Sequence, residues 1–218
     1  MKTLSTVLAA SMLLSLAACG GKAEEVLHDI GTNPAKAEAK SSYASGAWVS
    51  SCQTLTGIDI GAPIQSFNTV DTMTLGQMNR VRTFYAKPDC TDKNMMVNEN
   101  IQFSFGDNTV GDNWAYDQTI TATQAVALTD DIANKLTTLG YCDMPKWEAN
   151  KPQVVTNVAG TEARKCFGTN KTGVTQFGVV QVTGPGQNKV YYSNLVDDRN
   201  VRPKTADASS TAVVYTRP

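Results

Sequence analysis

Ile101-Gln102-Phe103-Ser104-Phe105-Gly106 puts a large apolar side chain at every second position and a polar or small one between. A helix would return its apolar residues every three or four positions. A period of two belongs to a strand with one buried and one wetted face. The same habit recurs outward from this stretch. Ala47–Cys52, Phe67–Leu75, Arg80–Ala86, Gln118–Ala122, Gln176–Thr183, Val190–Leu195 and Ala212–Thr216 are rich in Val, Thr, Tyr and Phe, which fit a pleated, half-buried surface. Gly184-Pro185-Gly186-Gln187, between two of these segments, reads as a hairpin connection. Thr129 to Leu139 breaks the pattern. Thr129 can cap a helix, Asp130 and Asp131 suit its positive end, Ile132, Ala133, Leu136 and Leu139 share a face, and Gly140 supplies the stop. The expected fold is mainly β: one antiparallel domain over 46–218, with a single amphipathic helix inserted around 129–139.

The composition narrows the function classes. Of 218 residues, 18% are charged and the formal net charge is −1, a balance that excludes a basic nucleic-acid binder, a disordered acidic tail and a polytopic membrane protein. The chain has one histidine, His28, so no two-histidine metal site exists and histidine acid–base chemistry is disfavoured. G-x-S-x-G, H-E-x-x-H, P-loop and G-x-G-x-x-G motifs are missing. Asp130-Asp131 and Asp197-Asp198 are adjacent carboxylates that point apart. Asp107-Asn108 and Asp112-Asn113 have the composition of a calcium loop, but Gly111 precedes the glycine position of an EF-hand, so a surface turn is expected. No enzyme, cofactor or metal site is implied.

Met1-Lys2 followed by the apolar run Leu4–Ala18 has the layout of a secretory signal and is too short to span a bilayer as a helix. The run ends in Leu16-Ala17-Ala18-Cys19, then Gly20-Gly21. This resembles the lipobox of bacterial lipoproteins, in which the cysteine receives the lipid. The resemblance implies a signal peptide over 1–18 and a mature chain that starts at lipidated Cys19, with an acylated amine and the membrane as partner through its N-terminal lipid. Several acyl chains anchor far better than one, at about 0.8 kcal/mol per buried methylene. By that family's sorting rule an aspartate after the cysteine retains the protein at the inner membrane. Gly20 stands there, which favours the outer membrane in a cell that has one. Residues 19–45, with Gly-Gly, Ala, Lys and Glu and few bulky apolar side chains, read as a tether, and His28 lies in it as a solvated residue.

Cys52, Cys90, Cys142 and Cys166 are even in number in an exported chain, which favours two disulfides over a zinc site, since no CxxC pair exists. Three pairings are possible. The sequential one is preferred, and in the chain-entropy model its loops of about 39 and 25 residues give about 3.5–4 kcal/mol each.

The landmarks GAWVSSC (46–52), FYAKPDC (84–90), YCDMPKW (141–147), Lys165-Cys166 and Arg202-Pro203 before a closing strand resemble small secreted bacterial proteins described as lipocalin-like. Gly46-Ala47-Trp48 looks like the G-x-W that opens lipocalin-type barrels. That resemblance implies a closed or partly open antiparallel barrel, the first two cysteines paired across neighbouring strands, and a late arginine, Arg202 or Arg217, stacked over Trp48 to seal one end. The helix here lies mid-chain instead of after the last barrel strand. Phe105, Trp114 and Tyr116 are candidate lining for a small apolar or amphipathic ligand. The other expectation is a barrel filled by its own side chains, serving as a surface or envelope interaction module. Trp147, two residues after a proline and just past the helix, is expected on the outside of the sheet.

Replacing Cys19 by serine should leave the protein as an unprocessed precursor or release it from membranes. Cell fractionation and electrophoretic mobility test this; a Cys19→Ser form that fractionates and migrates like the parent sinks the lipoprotein assignment.

Overall fold

The alternating stretch around Phe103 lies inside a much longer strand. In chain order the strands are β1 (Ser45–Ser50), β2 (Gln53–Thr54), β3 (Ser66–Thr74), β4 (Gln77–Tyr85), β5 (Lys93–Asn108), β6 (Asn113–Ala127), β7 (Gln153–Val154), β8 (Thr175–Thr183), β9 (Lys189–Tyr192) and β10 (Val214–Thr216), with helix α1 (Asp130–Leu139) between β6 and β7. The computed structural model describes residues 43, 45–55, 64–74, 76–155, 166, 172–183, 186, 188–206 and 213–218. The signal segment, the lipobox with Cys19, His28, the tether up to residue 42, and Gly184, Pro185 and Gln187 of the expected hairpin connection lie outside the described residues.

Eight strands close on themselves in the order β1-β3-β4-β5-β6-β8-β9-β10, each antiparallel to its neighbour; β2 and β7 are short additions paired to β3 and β6. At the closing seam Val49 faces Thr216 and Ser50 faces Tyr215. The barrel is therefore closed, not partly open. The mid-chain helix does not prevent closure because it packs at one end of the barrel. An eight-stranded barrel is narrow enough for side chains to fill, and two apolar clusters do so.

The first cluster closes the helix end. Thr129 Oγ1 accepts from the Ile132 N–H at 3.3 Å and Gly140 terminates the helix at φ 65°, as the sequence predicts. Ile132, Ala133 and Leu136 then pack with Phe84, Met95, Val97, Ala125 and Ala127, which point inward from the strands. Trp147 belongs here as well. It is only 2% exposed, stacks near Tyr141 with ring centroids 5.5 Å apart, and donates from Nε1 to the Tyr141 carbonyl. The expectation that it lies outside the sheet is wrong: the chain after α1 folds back under the helix and carries Trp147 into the plug. Disulfides Cys52–Cys90 and Cys142–Cys166 form the sequential pairing.

The second cluster fills the opposite end with Trp48, Met73, Met78, Ile101, Phe103, Trp114, Tyr116, Val180 and Val190. β5 and β6 extend far beyond the short stretches predicted from periodicity, and the cause is local. Inward positions of β5 continue as Val97 and Glu99, so a charged residue interrupts the apolar series. In β6 a bulge sets Asn100 opposite Ala122 but Ile101 opposite Ile120, which shifts the inward phase by one residue at Thr121.

Trp48 is fully buried and Trp147 nearly so, at opposite ends. Trp48→Ala and Trp147→Ala should each cost about 3–5 kcal/mol, the usual loss for a large buried aromatic. Denaturant unfolding measures both; a variant that unfolds at the parent midpoint shows that its end of the barrel is not sealed by that ring.

Candidate functional site

Between the two apolar ends lies a charged layer. Register aligns Trp48, Asp71, Arg80, Glu99 and Thr123 across β1, β3, β4, β5 and β6, all buried. Arg80 donates from Nε and a terminal nitrogen to the two oxygens of Asp71, each at 2.8 Å. Arg82 donates to Glu99 at 2.8 Å. Two cations thus meet two carboxylates inside the barrel, which limits an otherwise large desolvation cost.

Above this layer is the aromatic end, where the sequence-predicted lining residues are found. Phe105 lies 5.9 Å, ring to ring, from Tyr116, and Phe103 lies 5.4 Å from Phe105. Trp114 sits on the same inner face, opposite Val180. One residue that sequence reasoning assigned to the tether joins them. Tyr43 has no exposed surface and stands 4.9 Å from Phe105, with rings at 74°. Its hydroxyl donates to the Tyr192 hydroxyl at 2.5 Å, which donates in turn to Asp71 Oδ2 at 3.0 Å. The folded domain therefore begins before residue 46. The only signal for this was a lone aromatic five residues ahead of Trp48 in a stretch otherwise poor in bulky apolar side chains.

Of the two candidate arginines, Arg217 stands over Trp48, its guanidinium carbon 5.0 Å from the ring centroid. Arg202 lies elsewhere. On the outer face of the barrel it pairs with Asp117 and covers the Phe177 ring at 5.5 Å. The segment after β9 first continues pairing with β8, Phe177 and Val196 exchanging backbone bonds, and then crosses that outer face, where the Ala206 N–H donates to Asn113 Oδ1. Leu195 turns inward against the aromatic cluster and occupies space that only glycine leaves free: a Cβ on Gly178, opposite Tyr116, would come within 2.7 Å of it. The Asp107–Asn113 stretch forms the β5–β6 turn, with the Thr109 N–H donating to the Asn113 carbonyl and Gly111 at φ 58°.

The remaining outer wall has a different chemistry. Three register rows cross β1, β3, β4, β5 and β6 there: Ser45, Thr74, Gln77, Gln102, Thr119; Ala47, Thr72, Asn79, Asn100, Ala122; and Val49, Val70, Val81, Asn98, Gln124. None of these residues is charged. Asn79 Nδ2 donates to Asn98 and Asn100 at 2.6 and 3.0 Å, so the amides are aligned across strands. An open cleft of ≈ 390 Å³ runs over this wall, lined by Thr72, Thr74, Gln77, Asn79, Asn100, Gln102 and Thr121, with Met78 and Ile101 also bordering it. Neither the wall nor the cleft was legible without the register.

Burial raises the phenols of Tyr43, Tyr116, Tyr192 and Tyr215 above the ordinary tyrosine value; the Asp71 carboxylate adds to this and Arg80 opposes it. Burial raises Tyr141 at the helix end likewise. A group that keeps its proton in the fold but loses it when unfolded stabilises the fold fully below its unfolded pKa and progressively less above it. Stability should therefore hold up to about pH 10, the unfolded tyrosine value, and fall steeply beyond it. Phenolate absorbance from these five should appear together with loss of circular dichroism. If all seven tyrosines titrate gradually near pH ~10 in a chain that stays folded, the buried network is not as described.

No protein-family model and no curated protein matches the chain, so its function is read from these residues alone.

Proposed function

We propose that the chain is a lipid-anchored cell-envelope protein whose filled barrel is a rigid recognition module, meeting a neutral, hydroxyl-rich surface such as a glycan through the outer wall of β1, β3, β4, β5 and β6. The observation that carries this is the placement of charge. Asp71, Arg80, Arg82 and Glu99 lie inside the barrel, while three rows of the outer wall hold only Ser, Thr, Asn, Gln, Ala and Val. Soluble strands normally turn their charges outward. A wall of amides and hydroxyls without charge offers donors and acceptors to neutral polar groups and repels neither sign. Leu16-Ala17-Ala18-Cys19 supports the anchor, and Gly20 supports the outer membrane where there is one.

A small amphipathic ligand inside the barrel is favoured by a different observation: the ring that fills the aromatic end, Tyr43, comes from outside the strands.

Retention of the purified chain on immobilised neutral polysaccharides, compared with acidic ones, tests the first proposal. Thr72→Lys and Gln102→Glu lie on the exposed wall and should change stability by no more than about 0.5 kcal/mol. Each should weaken retention on the neutral polymer several-fold. Retention on no neutral polymer, or retention unaltered by both substitutions, overturns it.

A further inference from the structure

Tyr43 stands to the barrel as a bound molecule stands to its site. Its walls all come from strands: Trp48 from β1, Phe103 and Phe105 from β5, Tyr192 from β9. Four rings surround it at centroid distances of 4.9 to 6.3 Å, three of them edge-on and that of Trp48 tilted. Such arrangements suit aromatic quadrupoles. At the floor the Tyr43 hydroxyl donates to Tyr192, whose own proton goes to Asp71, a carboxylate already fixed by Arg80. The Tyr43 carbonyl takes the indole proton of Trp48 at 3.3 Å. Apolar walls with one polar group aimed at the floor are how small-molecule sites are commonly built.

We propose that the aromatic end of the barrel is a binding site for a single hydroxylated aromatic ring, held in this structure by the chain's own Tyr43 and open to an external phenol when that ring is withdrawn. This rests on the second proposal above, a small ligand inside the barrel, and gives that ligand a chemistry. The polar group is specific. A ring without a hydroxyl would leave the Tyr192 oxygen buried and short of a donor, and such a loss costs about tenfold or more in affinity. The occupant also has an advantage over any free phenol, because a tethered ring competes at a high effective concentration.

Chemical rescue of Tyr43→Ala in the full chain tests this. The probes are p-cresol, which is the tyrosine side chain itself, and toluene, its counterpart without the hydroxyl; the readout is the thermal unfolding midpoint. The variant should unfold well below the parent, and p-cresol should raise its midpoint saturably, as a ligand of the native state does. Toluene should need about tenfold or more higher concentration for the same rise, and so should p-cresol acting on the parent. A Tyr43→Ala midpoint equal to the parent's, or equal responses of parent and variant to p-cresol, overturns the proposal. Equal rescue by the two probes overturns the hydroxyl selectivity while leaving a ligand site in the barrel standing. Rescue by neither removes both. Should Tyr43→Ala not fold, Tyr43→Phe and Tyr192→Phe form a double-mutant cycle. Non-additive losses support the hydroxyl contact, and additive ones overturn it.

Discussion

The paired hydrogen bonds from Arg80 to Asp71 hold the barrel to one register. The two residues face each other on β3 and β4, so a slip of either strand by one position would turn its own charge outward, bring its neutral residues inside and leave the other charge buried without its partner. Asp71 also receives the Tyr192 hydroxyl from β9, so one carboxylate joins strands that are not neighbours in the sheet. A buried pair of this kind contributes little net stability against an apolar replacement, but losing one partner leaves an uncompensated charge and costs about 3–5 kcal/mol. Its value to the fold is that it makes the alternatives expensive.

That constraint explains the uneven legibility of the sequence. Period-two segments with Val, Thr, Tyr and Phe locate most of the barrel strands, and the helix is legible residue by residue, because cap, acidic first turn, apolar face and terminal glycine agree. Strand ends are harder to read where charge sits inside. Glu99 occupies an inward position at which periodicity expects an apolar residue, so β5 reads as five or six residues instead of sixteen. β2 and β7, at two residues each, are too short to carry any pattern.

The candidate sites are legible in the same uneven way. Phe105, Trp114 and Tyr116 are found on the inner face because they lie in or beside alternating stretches. Tyr43 does not, since its partners are 5 to 149 positions away and nothing local marks it. The choice between Arg202 and Arg217 is likewise a matter of register: Arg217 directly follows β10, which pairs with β1, whereas Arg202 lies in the segment that runs along the outer face of β6 and β8. The neutral wall is a property of rows across strands and has no counterpart along the chain.

The seam between β1 and β10 has a consequence in time. Hairpins from β3 to β6 join residues close in sequence and can form as soon as they are made, and Cys52–Cys90 can fasten that sheet early. The ring itself cannot be completed until Val214–Thr216 arrive, because the last strand is the partner of the first. Until then β1 has one bare edge and Trp48 lacks the guanidinium that covers it. Loss of the last five residues would take away Val214, Tyr215, Thr216 and Arg217 together, so a chain cut short there would carry an open edge throughout its life.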